Sequence, residues 1–129
     1  MSDEPPPTEY LVISRGRWDA DASPQRIQAA IDAFYAWHAR MVGDGHMRPG
    51  QRLMPEGKRV TRQAVTDGPY AEAKEVIGGY WFVHARSLAE AAELLRDSPC
   101  LACGLEYEIR AIDPERCSAF VVTSETPAR

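Results

Sequence analysis

The apolar positions along this chain change period several times, and each change marks an element. Residues 1–8 are polar and proline-rich and predict a disordered leader. Tyr10 to Ser14 (YLVIS) is a short β-rich run without breakers and reads as a buried strand. After a polar connection at 19–22 the spacing becomes helical: Ile27, Ile31, Phe34, His38 and Met41 recur at steps of three and four. Ser23 can cap the first amides, Pro24 fits the first helical position, and Gly43 and Gly45 are stop signals, so the helix runs to about Val42. The stripe places His38 on the core-facing side, where an aliphatic residue is expected.

Met47 to Leu53 predicts an irregular edge strand, because Pro49-Gly50 interrupts it. Arg59 to Thr66 (RVTRQAVT) reads as a better strand, and with a tight turn at Pro55-Glu56-Gly57 the two segments predict a hairpin. Gly78 to Ala85 (GGYWFVHA) is strongly β and aromatic, and alternation puts Tyr80, Phe82 and His84 on one face. Ser87-Leu88-Ala89-Glu90 has the form of a capping box. The helix behind it is expected to pack through Leu88, Ala91, Ala92 and Leu95 and to end near Asp97, before Pro99. Leu105 to Ile112 alternates, with Leu105, Tyr107, Ile109 and Ala111 on one face and Glu106, Glu108, Arg110 and Ile112 on the other.

The order β-α-β-β-β-α-β predicts an α+β, ferredoxin-like domain over residues 9–112, an antiparallel sheet with two helices on one face. The uncovered face carries aromatics and charges together. Such a face is expected to be buried against a second copy, giving a homodimer. Residues 113–129 form an extension in which Ser118 to Thr123 (SAFVVT) predicts one more strand.

Composition narrows the classes. The chain has 129 residues, enough for one domain with a real core; 44% are hydrophobic and 26% charged, a soluble globular balance. A net charge of -4 with scattered basic residues argues against nucleic acid as a partner. No apolar run reaches the length of a membrane span, and the acidic N-terminus has no signal-peptide pattern, so a cytoplasmic location is expected. Three cysteines fit a reducing compartment. Cys100-Leu101-Ala102-Cys103 follows a helix end instead of opening a helix, so buried small residues are the expected reading over thiol chemistry. No cofactor is expected, since neither GxGxxG nor GxxxxGK[ST] is present. His38, His46 and His84 show no HExxH or HxH metal spacing.

The most informative stretch is residues 66–75, TDGPYAEAKE, followed by GGYWFV. Asp67-Gly68-Pro69 is turn chemistry, with Asp67 able to cap its own turn. Glu72, Lys74 and Glu75, then Gly78-Gly79, are not needed for a turn. Together with the capped helix and LEYEIRAI, they resemble the DGPF-domain branch of the YCII-related proteins, with Tyr70 in place of the commoner Phe.

The resemblance implies a ferredoxin-like fold that pairs into a dimeric α+β barrel with a cleft between subunits. In the broader YCII group a His–Asp pair has been proposed as catalytic, and some members belong to aromatic-degradation pathways. Here the group's helix histidine falls near Phe34, with His38 about one turn later, and its Asp-Pro appears as Asp97-Ser98-Pro99. Two functions stay open. One is a small-molecule enzyme using acid/base chemistry in a dimer cleft. Its candidate catalytic groups are Asp67, His84 and His38, and its candidate substrate-binding groups are Lys74, Tyr70, Tyr80, Trp81, Phe82 and Arg110. The other is a non-catalytic ligand-binding or regulatory module. The placement of DGPF genes beside those of extracytoplasmic-function sigma factors points that way.

Overall fold

The computed structural model describes residues 6–68 and 76–127. The order is β1 (Thr8–Arg15), α1 (Pro24–Gly43), β2 (Met47–Arg52), β3 (Gly57–Val60), β4 (Val65–Gly68), β5 (Ile77–Ala85), α2 (Leu88–Leu95), a 3-10 helix (Pro99–Cys103) and β6 (Glu106–Ala111). The main sheet runs β2-β5-β1-β6 with antiparallel pairings throughout. This is an α+β, ferredoxin-like arrangement with both helices on one face. No helix among the described residues is long and apolar enough to cross a membrane.

Alternation along the central strands sorts the side chains. Tyr10, Val12 and Ser14 of β1 are buried, as are Trp81, Val83 and Ala85 of β5, and all of these but Ser14 join one core with Trp37 of α1 and Ala91 and Leu95 of α2. Phe34 and Met41 pack against that core, as their helical spacing predicts. Ser23 caps α1 by accepting from the Arg26 amide at 3.1 Å, and Ser87 caps α2 by accepting from Glu90 at 3.1 Å. In α2 the buried residues are Ala91 and Leu95, while Leu88 is 49% exposed. A two-turn helix offers the sheet only a narrow stripe, so Leu88 and Ala92 stay outside it.

The segment between β2 and β5 differs from the expected hairpin. Residues 47–53 do not pair with 59–66. Instead β2 pairs with β5, and RVTRQAVT folds back on itself as β3 and β4. The reversal needs no Gly or Pro. Thr61 Oγ1 accepts from the Gln63 and Ala64 amides at 3.3 Å, and the Thr61 amide donates to the Ala64 carbonyl at 2.9 Å. The result is a separate two-stranded ribbon whose Val60 and Val65 are 74% and 65% exposed.

β2 itself is bulged between Arg48 and Gln51, and its backbone presses onto β5. A Cβ on Gly50 would stand 2.0 Å from the Tyr80 carbonyl oxygen, and one on Gly79 would stand 2.8 Å from that of Gln51. These two glycines let the edge strand close over Tyr80 and Trp81.

The expected strand at Ser118 to Thr123 is not formed. That segment is turn and irregular chain held by local bonds such as Phe120 N to Ser118 Oγ at 3.2 Å, and Phe120 is 99% exposed. A strand needs a neighbour for its backbone groups, and no strand among the described residues pairs with this tail.

Candidate functional site

A cavity of about 440 Å³ lies between α1 and the sheet, beside the bulge of β2. Its helix wall is Ile31, Phe34, Tyr35 and His38. Its sheet wall includes Ser14, Trp81 and Tyr107, with Pro49 to Arg52 along the edge and Cys100 at one end. The apolar stripe of α1 and the inward alternation of β5 and β6 produce this convergence, and the close packing at Gly50 and Gly79 holds the edge wall in place.

Aromatic rings interlock around the cavity. Trp81 meets Tyr107 edge-on at 5.0 Å between centroids and Phe34 at 5.3 Å. His38 stacks on Phe34 at 5.5 Å and stands edge-on to Trp81 at 5.9 Å. Two polar atoms in this cluster are buried without a hydrogen-bond partner among the described residues, His38 Nε2 and Trp81 Nε1. Buried polar groups are nearly always paired, so two unpartnered atoms in the walls of one cavity set this cluster apart from the rest of the core.

Burial pushes the His38 pKa down from 6.5, so the ring is neutral at pH 7. Burial pushes the Tyr107 phenol up to about 12, against the hydrogen bond it shares with Ser98, whose Oγ lies 2.6 Å from the phenol oxygen. Burial likewise raises the Cys100 thiol, whose S–H donates to the Ala30 carbonyl at 3.8 Å. Cys100 and Cys103 are both buried in the 3-10 helix, and Cys117 is exposed. The walls thus present a neutral imidazole, a protonated phenol and an indole N–H, and no described residue lining the cavity is acidic. Among the described residues no three His, Cys, Asp or Glu side chains gather as a metal site.

The opposite face of the sheet is a second cluster of different character. Glu9 accepts a two-pronged bond from Arg48 at 2.8 and 2.9 Å, and Arg48 also lies 3.9 Å over the Phe82 ring. His84 sits between two acceptors, Glu9 Oε2 and the Gly45 carbonyl, each at 3.0 Å. Further along, Glu108 takes Arg15 at 2.6 Å and Arg110 at 3.2 Å. Tyr80 meets Phe82 edge-on at 6.0 Å.

The structure divides the candidate residues accordingly. His38 and Trp81 line the cavity; Tyr80 also borders it, although its ring lies with Phe82 on the opposite face. Phe82, His84 and Arg110 belong to the opposite face. Asp67 is in neither place: it stands in β4, 89% exposed, paired with Lys58 across the ribbon. Its carboxylate is engaged with a lysine, not with its own turn. Tyr70 and Lys74 lie outside the described residues, as do Pro69, Glu72 and Glu75. His38 and Asp97 share no hydrogen bond, so the structure shows no His–Asp pair there.

A family model for the YCII-related domain matches residues 8–114. The chain belongs to the YCII-related domain family. No curated protein matches it. Among solved structures, the 5-chloro-2-hydroxyhydroquinone dehydrochlorinase of Burkholderia phenoliruptrix AC1100, in complex with 2,5-dihydroxybenzoquinone, is similar at 16% identity and a TM-score of 0.46. The match covers 82% of this chain and 94% of that one. In this YCII-related domain the family match ends just before the irregular tail, so the cavity and both faces of the sheet lie inside it.

Several residues that build the site escaped the sequence reading: Ser14, Trp18, Tyr35, Gln51, Arg52 and the Tyr107–Ser98 pair. Part of the signal was present. Tyr107 alternates onto the helix-covered face, and isolated glycines inside strands mark close backbone approach.

The two clusters also set the acid response of this YCII-related domain. The Arg48 hydrogen bond, opposed by burial and helped by His84, holds the Glu9 carboxyl down at about 2, against 4.5 unfolded. Its contribution to stability is complete above pH 4.5 and is lost as pH falls through about 2. His38 carries a lowered folded pKa, so its contribution is complete above 6.5 and declines as pH falls from there toward the folded value. Urea midpoints against pH are therefore expected to fall in two stages. His38→Phe, which keeps a ring on Phe34, reduces the slope just below pH 6.5, and Glu9→Gln reduces the slope between pH 4.5 and 2, leaving the part that Glu108, held down by Arg15 and Arg110, supplies below 4.5. A single-stage profile in the unaltered chain would contradict this assignment.

Proposed function

We propose that this chain is a small-molecule enzyme that moves protons in the cavity under α1, with His38 as the acid/base. The supporting observation is His38 Nε2, buried without a partner on an aromatic-walled cavity and attached to a ring that burial keeps neutral. A neutral imidazole can take a proton, and nearby donors can stabilise the oxygen on which negative charge then develops. Trp81 Nε1 can donate only, and the Tyr107 phenol stays protonated with its pKa pushed up to about 12. That set fits abstraction of a proton next to a carbonyl, with the charge passing to the carbonyl oxygen as an enolate and the imidazolium returning the proton to carbon or oxygen. The acid/base role expected of Asp67 passes to His38, because Asp67 lies on the exposed ribbon and not on the cavity.

The test is a panel of cyclic ketones and keto acids incubated with the protein in D2O and followed by proton NMR. Loss of α-proton signal above the protein-free rate is the expected result for at least one compound. Silence across the panel, with the protein folded, would refute the acid/base reading. It would favour the non-catalytic ligand-binding or regulatory module, for which the same cavity serves.

The uncovered sheet face supports the homodimer. Leu11, Ile13, Tyr80 and Phe82 lie there half-buried, framed by the Glu9–Arg48–His84 and Arg15–Glu108–Arg110 clusters, with their charges already paired. An apolar strip with neutralised charge fits a second copy of the same face. Sedimentation velocity is expected to show a dimer at micromolar concentration, and Ile13→Glu, facing outward from β1, is expected to yield folded monomer. A monomer at every concentration of the unaltered chain would contradict the shared face.

A further inference from the structure

The chemistry of the cavity walls says more than that something small binds there. Its rings offer edges and faces to a flat molecule: Trp81 stands edge-on to Phe34 on one side and to Tyr107 on the other. A volume of about 440 Å³ suits one or two rings, within the range of small-molecule sites. The charges are one-sided. No Asp or Glu among the described residues lines the cavity, and Arg52 does. Arg52 ends β2 at the rim, with Nη1 3.1 Å from where a Cβ on Gly78 would stand, and it makes no ion pair with any described residue. Its charge is felt at the Cys100 thiol on the same cavity, where it opposes the upward push of burial. Arg15, Arg48 and Arg110, by contrast, are each engaged by a carboxylate.

We propose that the cavity takes a flat ring bearing one negative charge, an aromatic carboxylate, with the Arg52 guanidinium as its anchor and the rings of Phe34, Trp81 and Tyr107 as its slot. This rests on the cavity being the functional site, as proposed above. A planar guanidinium matches a carboxylate with two parallel N–H bonds, and a single such fork suits a single charge. The absence of an acid from the described walls disfavours a cation. With the carboxylate held at the rim, the ring lies against Trp81 and His38, the two side chains with unpartnered nitrogens.

Three probes of one shape separate the possibilities: benzoate, benzamide and benzylammonium, titrated by calorimetry and by tryptophan fluorescence. Benzoate is expected to bind, benzamide to bind about ten- to a hundredfold more weakly, and benzylammonium not to bind. Arg52 is exposed, so Arg52→Gln is expected to fold normally and to erase the preference for benzoate over benzamide. Failure of benzoate to bind, equal binding of benzoate and benzamide, or a preference that survives in Arg52→Gln would each overturn the proposal. The two readings fail separately. A benzoate preference without proton exchange on any ketone removes the acid/base role and leaves the anion class standing. Exchange on neutral ketones without a benzoate preference does the reverse.

Discussion

Gly50→Ala is expected to destabilise the domain by about 3 kcal/mol or more, a loss on the order of 10 °C in Tm. The added methyl would lie 2.0 Å from the Tyr80 carbonyl oxygen and 2.8 Å from the Trp81 Cα, both backbone atoms that no rotamer change can move. Relief requires β2 to lift from β5. Lifting β2 breaks the ladder at Gln51 and Tyr80, carries Arg48 away from Glu9 and Phe82, and opens the cavity along Pro49 to Arg52. Stability and ligand binding should therefore fall together. Gly43→Ala is the matched control. A Cβ there meets nothing within 4 Å, and the residue ends α1, so the change should be neutral or stabilise by about 0.5 kcal/mol. Equal melting temperatures for the two variants would show that the edge strand is not packed as described.

His38→Gln is expected to slow proton exchange by about a hundred- to ten-thousandfold while the protein stays folded. Glutamine keeps a polar group of similar reach but has no basic nitrogen. Asp67→Asn and His84→Gln are the informative comparisons. Asp67 is on the ribbon with Lys58, and His84 is on the far face of the sheet between Glu9 and Gly45, so both variants should retain exchange within about threefold, the scatter typical of small indirect effects. Loss of exchange in Asp67→Asn with exchange intact in His38→Gln would move the chemistry to the ribbon that carries Asp67.

The helical stripe of α1, apart from its buried Trp37, the alternation of β1, β5 and β6 and both serine caps could be read from residue types, because each is a local pattern with a local cause. His38 was visible as a polar group out of place on an apolar stripe, and Trp81 as part of an aromatic strand. Three things were not legible. The reversal inside RVTRQAVT depends on one threonine hydroxyl, Thr61, without the glycine or proline that usually announces a turn. The pairing of β2 with β5 is non-local, and Pro49-Gly50 suggested a weak strand without revealing which neighbour it presses on. The separation of Trp81 from Phe82 and His84 follows from period-two alternation, yet a single cleft was expected to hold them together, because the sequence does not say which face is hollow. The stretch around Asp67 pointed toward the YCII-related family, but Asp67 itself is paired with Lys58 across the ribbon.

The central claim is that the functional site is the cavity under α1 and not the charged face opposite. Ring resonances of the histidines, followed by NMR while benzoate is added, test it directly, since His38 lines the cavity and His84 lies on the other face. The prediction is that His38 Nε2 shifts to saturation while His84 stays in place. Movement of His84 with His38 unchanged would contradict it.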